Sequence, residues 1–239
     1  MPAIVEADDL GMYVVKFRGA GQGALSLVAE LVAGEIGRAL GLSVPELVFA
    51  EVSATLGRNE PDAEIRHLLR ASVGLNLALD YLPGATMFDP AAGDFATSDV
   101  ASMAVWFDAF VQNVDRTARN ANLLVWHRVL RFIDHGAALF FHHNWATAEA
   151  KVESPFPEIK QHILLPWAGS ILEAARVAQT RLTPELFRNL LNVVPDAWLS
   201  ENPGEAEGRR DAYVGYLSRR LAASSLFEQE AANAYQHIV

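Results

Sequence analysis

Three oxygen-bearing side chains stand in the order Asp115, Asn120 and Asp134, with Asp115 and Asn120 five positions apart in the polar stretch Asn113 to Asn122. Downstream of them, Leu123 to Trp126 and Val129 to Ile133 read as a hairpin around a turn at His127-Arg128. In that register the numbers of opposed residues sum to about 255, which sets Ala121 opposite Asp134 and makes Asn120 its diagonal neighbour, roughly 5–8 Å away. An amide oxygen and a carboxylate at one hairpin mouth suit Mg2+, a hard cation that keeps waters and takes phosphate oxygens. Asp115, in the same loop, is placed to orient a hydroxyl and accept its proton. Taken singly, each residue has a plainer role. Asp115 would cap a turn, Asn120 would bond backbone, and Asp134 would pair with Arg116 or Arg119. The order and spacing of all three together favour the chemical reading.

Lys16 is the second feature. It is one of only three lysines in a chain with 19 basic residues, and it lies in the β-branched, aromatic run Met12 to Phe17. Such a lysine either faces solvent or is held in a cleft to meet anionic oxygens. The second role needs a carboxylate partner, and Glu30 and Glu35 both lie on the helix expected next, Glu30 beside Val28 and Leu31. Between strand and helix runs Arg18-Gly19-Ala20-Gly21-Gln22-Gly23. Glycines there let a backbone approach phosphates. The loop is neither a Walker A motif, lacking the Lys-Ser/Thr close, nor a dinucleotide fingerprint, lacking the glycine spacing.

The elements that would position these groups fall into two regions. Short strands are expected at Ala3 to Glu6, Met12 to Phe17, Val44 to Val52 (starting late because of Pro45) and Leu75 to Leu82, with helices over Leu25 to Leu40 and Ile65 to Arg70. Beyond Pro83-Gly84 the pattern turns helical: Val100 to Val114 capped by Ser98, Glu158 to Leu165, Ser170 to Ala178, Glu185 to Leu191 opened by Thr183 and Pro184, Arg209 to Ala223, and Phe227 to Tyr235. This gives a strand-rich N-terminal lobe over 1–82 and a helical lobe over 83–239 carrying one embedded hairpin. The five tryptophans read as packing residues, and Arg209-Arg210 and Arg219-Arg220 as a solvated helix face. His142-His143 is a weak metal pair, since strand neighbours point to opposite faces and no third ligand is spaced to help.

Composition narrows the function classes. The chain of 239 residues is 51% hydrophobic and 20% charged, long enough for a sizeable core. Its net charge of −10 opposes non-specific binding to nucleic acid or an anionic membrane. With no cysteine, disulfides, thiol nucleophiles and zinc–thiolate sites are excluded. The most apolar long stretch, Ala24 to Leu42, is interrupted by Glu30, Glu35 and Arg38, and the start lacks a signal-peptide pattern, so a cytoplasmic protein is expected.

An Asp-x4-Asn loop followed by a hairpin ending in Asp-x-Gly is the active-site grammar of protein-kinase-like folds. The wording here, NVDRTARNANLLVW and then LRFIDHGAAL, resembles the HipA-like kinases, in particular their compact, stand-alone members. The likeness runs from about Tyr13 to His142. YVVKF is similar to the family's nucleotide-binding lysine strand, Glu30 to the helix glutamate that pairs with that lysine, and Leu79-Asp80-Tyr81-Leu82 to the hinge offering backbone groups to adenine. His135 stands where typical protein kinases have Phe, as is usual in this family. The resemblance implies an α+β, two-lobed protein-kinase-like fold and ATP-dependent phosphoryl transfer to a protein serine or threonine hydroxyl. Lys16 would hold phosphates and Glu30 orient it, with Asp115 on the acceptor and Asn120 and Asp134 on Mg2+. The stretch before Lys16 has room for about one strand and a turn, fewer elements than kinase folds place there; either the start is short relative to the chain's relatives, or Gly19, Gly21 and Gly23 take over phosphate covering. Asp80, Tyr81 and Leu82 would hold the base. A pseudokinase or interaction module that keeps the fold without turnover, and a small-molecule kinase using the same site, remain alternatives.

Overall fold

The computed structural model describes residues 2–238. The N-terminal part contains β1 (Pro2–Glu6), β2 (Met12–Lys16), α1 (Ala24–Ala39), β3 (Leu47–Val52), α2 (Ala63–Ala71) and β4 (Gly74–Asp80). A second sheet and most of the helices follow: β5 (Thr86–Met87), α3 (Ser98–Val111), β6 (Leu123–Trp126), β7 (Val129–Phe132), α4 (Ala148–Val152), α5 (Ile171–Arg181), α6 (Pro184–Val193), α7 (Asp196–Leu199), α8 (Ala206–Ala222) and α9 (Ser225–Gln236).

The first sheet is antiparallel, in the order β1-β2-β4-β3. Its β1–β2 turn is closed by Asp9, whose carboxylate accepts from the Gly11 amide and the Tyr13 hydroxyl. Strand alternation separates two faces. Val15 and Ala78 join a small cluster with Leu68 and Leu69 of α2. Leu77, opposite Lys16 in the register, belongs instead to the main core with α1. Lys16 therefore points to the α1 side.

α1 is buried nearly all round, from Leu27 to Gly37, because it is packed between the sheet and the helical lobe. It stops at Gly41, whose φ of 89° suits glycine. The Leu40 carbonyl there accepts from Arg181 of α5 at 2.5 Å, tying this helix end to the second lobe. The main core continues through α3, which packs on α5 and α9: Trp106 and Phe110 lie against Phe227 of α9, and Phe107 faces the other way, towards Gly37 of α1 and His135.

Several elements differ from the sequence reading. α3 is preceded by Thr97 at its N-cap and starts at Ser98, and it ends at Val111 because Gln112 turns left-handed at φ 56°. Residues Glu158 to Leu165 form two 3-10 turns, Pro157–Gln161 and Leu165–Trp167. Pro166 disfavours α geometry in the residue before it, and His162 between the turns is extended. The strand β5, pairing with β6, was not expected from so short a segment. Arg210 and Arg220 are buried, and only their neighbours keep to the solvated face. Arg220 donates to the carbonyls of Ala109, Phe110, Val152 and Ser154, and Arg210 to those of Leu191 and Val194. A guanidinium has five donors, so it can satisfy several carbonyls left over at helix and turn ends.

Candidate active site

Lys16 lies at the centre of a cleft between the lobes. Its Nζ is 2.6 Å from Glu30 Oε2 on α1 and 2.6 Å from Asp134 Oδ1, just beyond β7. The two carboxylates differ in setting. Glu30 is wholly buried, whereas the Asp134 side chain is 52% exposed. Burial alone would raise the Glu30 pKa, but the Lys16 charge, with His135 behind it, outweighs this and holds it near 2. Burial likewise works against the Lys16 charge, and Glu30 and then Asp134 overcome it, leaving its pKa raised. Glu35 pairs with Arg38 on its own helix and takes no part. His135 is fully buried behind Glu30, with Nδ1 3.6 Å from Glu30 Oε1 and its ring edge-on to Phe107.

Two hollows meet at Lys16 and Asp134. One, of about 350 Å3, runs along the hinge and is lined by Val14, Leu79, Asp80, Tyr81, Leu82 and Leu124. The other, of about 290 Å3, opens beneath the glycine loop and is lined by Gly21, Gln22, Ser26 and Gly136. The Tyr81 amide donates to the Met12 carbonyl within the sheet, and the Leu82 carbonyl accepts from Ala85. Gly21 is the one of the three loop glycines that reaches the second hollow. Gly19 packs against Ala71 of α2 and Ser72 just beyond it, and Gly23 precedes α1 with a φ of 70°.

The hairpin has the register Leu123↔Phe132 to Trp126↔Val129, and the Ile133 amide extends the ladder to the Asn122 carbonyl. Its turn residues His127 and Arg128 both have positive φ, the geometry of a two-residue hairpin turn. Beyond the ladder, Asp134 turns left-handed at φ 57°, which carries its carboxylate into the cleft. Asp115 Oδ2 accepts from Asn120 Nδ2 at 2.8 Å and from Asn122 Nδ2 at 3.3 Å. The Asp115 amide donates to Asn113 Oδ1. Asn120 is thus held by Asp115, and Asp134 by Lys16; among the described residues no hydrogen bond joins Asn120 to Asp134. Arg116 is buried and pairs with Asp108 rather than Asp134. Asn113 and Asn122, the residues that hold Asp115 in place, were not singled out from sequence; their only signal was the density of asparagines in that loop.

The family model described as HipA-like kinase matches residues 1–224. The chain belongs to the HipA-like kinase family. No curated protein matches it. Among solved structures, the crystal structure of a Helicobacter pylori proinflammatory kinase, CtkA, is similar with a TM-score of 0.57 at 13% identity, covering 99% of this chain and 94% of that one. At that identity the likeness shows the fold, a kinase fold. For this HipA-like kinase, kinase-type phosphoryl transfer is the reaction class that family and fold support. Among the described residues no helix is long and apolar enough to cross a membrane.

His142 and His143 lie outside this cleft. His142 is buried and bonded through Nδ1 to the Tyr213 hydroxyl, and burial lowers its pKa to about 3.

Proposed function

We propose that this HipA-like kinase transfers the γ-phosphoryl group of ATP to a serine or threonine hydroxyl of a protein. The observation that carries the reading is the convergence of Lys16, Glu30 and Asp134 at one point where the hinge-side and loop-side hollows meet. The apolar hinge hollow, walled by Val14, Leu79 and Leu124, suits a base ring. The hollow beneath the glycine loop suits the phosphate chain, with Lys16 neutralising its α and β oxygens and Glu30 holding the ammonium in place.

Asn120 and Asp134 would hold Mg2+. The donors fit, because Asn120 turns its amide nitrogen to Asp115, leaving Oδ1 available, and Asp134 uses one oxygen for Lys16 and keeps the other. When bound, the ion would neutralise charge on the β and γ phosphates. Asp115 presents one carboxylate oxygen to Asn120 and Asn122 and keeps Oδ1 for the acceptor. The acceptor oxygen forms a bond to the γ phosphorus, the bond from that phosphorus to the β–γ bridging oxygen breaks, ADP leaves, and the hydroxyl proton passes to Asp115. Catalysis in this reading is positioning and charge stabilisation.

The test pairs a thermal-shift titration with a labelling assay. Wild type should be stabilised by ATP with Mg2+ and should label itself or an added protein. Asp115→Ala should abolish labelling and retain the shift, since its role is on the hydroxyl. A wild type that binds tightly but never transfers would favour a binding module. A wild type that shows neither binding nor transfer would overturn the nucleotide assignment.

A further inference from the structure

Asp108 lies in the last turn of α3, fully buried, and it is not part of the cleft. Its carboxylate accepts from three side-chain donors. Oδ2 accepts from Arg116 Nε at 2.6 Å and from His162 Nε2 at 2.8 Å, and Oδ1 accepts from Asn113 Nδ2 at 2.9 Å. Each donor leads on to the reacting loop. Asn113 accepts from the Asp115 amide. Arg116 donates through Nη1 to the carbonyls of Asn122 and Ile133, the two residues that close the hairpin mouth beside Asp115 and Asp134. His162 belongs to the segment that faces the loop from outside. The Ile163 amide donates to the Arg116 carbonyl at 3.1 Å, and Thr117 and His162 form an antiparallel bridge.

The protonation of His162 follows from geometry. The Leu164 amide donates to Nδ1 at 3.1 Å, so Nδ1 carries no proton and Nε2 carries the one given to Asp108. The ring is neutral, and Arg116 alone balances Asp108. A groove of about 680 Å3 opens at the surface over this point, walled on one side by Thr117, Ala118 and Arg119 and on the other by Gln161 to Ile163. Its first wall is the loop between Asp115 and Asn120, so a polypeptide lying there would be next to the reacting centre.

We propose that Asp108 is a positioning residue for phosphoryl transfer, and that His162, by donating to it, couples the groove wall to the aim of Asp115. The proposal rests on the reading of Asp115 as the group that takes the acceptor proton. A buried carboxylate tied to three donors loses free energy when any one of them is pulled away, so the three chains of contact are coupled through Asp108. Small misplacement of a reacting group costs turnover and not nucleotide affinity, and none of the three donors lines either nucleotide hollow.

The experiment compares full-length wild type, His162→Phe and His162→Gln. A glutamine can both donate to Asp108 and accept from Leu164, whereas phenylalanine can do neither. His162→Phe should lower kcat by about 10- to 100-fold with KM for ATP within about twofold, and His162→Gln should recover most of the loss. Native-state hydrogen exchange should quicken in His162→Phe at the amides of Asp115, Asn120 and Ile163, with those of Val15 and Leu79 unchanged. Should His162→Phe fail to fold, Asn113→Ala removes one link to Asp108 and one to Asp115 and should give the same kcat loss at constant KM. Unchanged turnover, a glutamine variant no better than phenylalanine, or quickened exchange spread evenly over the chain would overturn the proposal. A wild type with no transfer at all would remove the role of Asp115; exchange confined to the loop would then still support the coupling, and its absence would refute it.

Discussion

Two carboxylates sit at the same 2.6 Å from one ammonium, and they should contribute very differently to stability. Glu30 has no exposure, and its pKa falls from an ordinary 4.5 to about 2 on folding. That shift corresponds to about 3 kcal/mol at neutral pH. Glu30→Gln keeps the shape and removes the charge, leaving buried Lys16 with Asp134 alone, so a loss of about 3 kcal/mol is expected, at the low end of broken buried pairs. Asp134→Asn acts on a half-exposed group, where water screens the pair, and should cost less than about 1 kcal/mol. Urea denaturation of the two variants at neutral pH measures both. The folded-state pKa of Glu30 is depressed, so its stabilisation is full above pH 4.5 and is lost as pH falls towards 2. The gap between wild type and Glu30→Gln should therefore close over that interval. Equal losses in the two variants, or a gap that does not narrow in acid, would refute the argument that burial and not distance sets the strength of this site.

Arg220→Lys should lower the melting temperature by more than about 6 °C, since an ammonium cannot satisfy the carbonyls of Ala109, Phe110, Val152 and Ser154 together and a chain of this size loses about 2–4 °C per kcal/mol. Gly19→Ala should destabilise without changing ATP affinity, because the new Cβ would lie 2.6 Å from Ala71 Cβ; Gly21→Ala, which meets no neighbour but must hold φ at 53°, should weaken ATP binding in the titration. Burial depresses the His142 pKa from 6.5 to about 3, so the unfolded chain takes up a proton that the folded one refuses. Stability from this group is full above pH 6.5 and is lost towards pH 3, and His142→Gln should flatten that part of the stability–pH curve.

Local pattern alone determined a good deal. The hairpin register was readable because Leu123 to Trp126 and Val129 to Ile133 flank a two-residue turn, and a β ladder counts residues without reference to the rest of the chain. α1 and its stop at Gly41 followed from apolar spacing and one left-handed glycine. The order Lys16, Asp115, Asn120, Asp134 carried the family likeness. What the sequence left open were matters of facing and distance. Lys16 was as well suited to the solvent side of its strand, and Glu30, though the better placed of the two helix glutamates, as well suited to a solvated face, until the register with Leu77 and the packing of α1 turned both inward. Glu158 to Leu165 lost its helix to Pro166 and to the contacts of His162 with Asp108 and Thr117. Arg210 and Arg220 looked like surface charge because their carbonyl acceptors lie 16 to 111 positions away. Only tertiary contact decides whether such a charge is buried, since the groups that make its burial affordable are distant in the chain and carry no trace in its own neighbourhood.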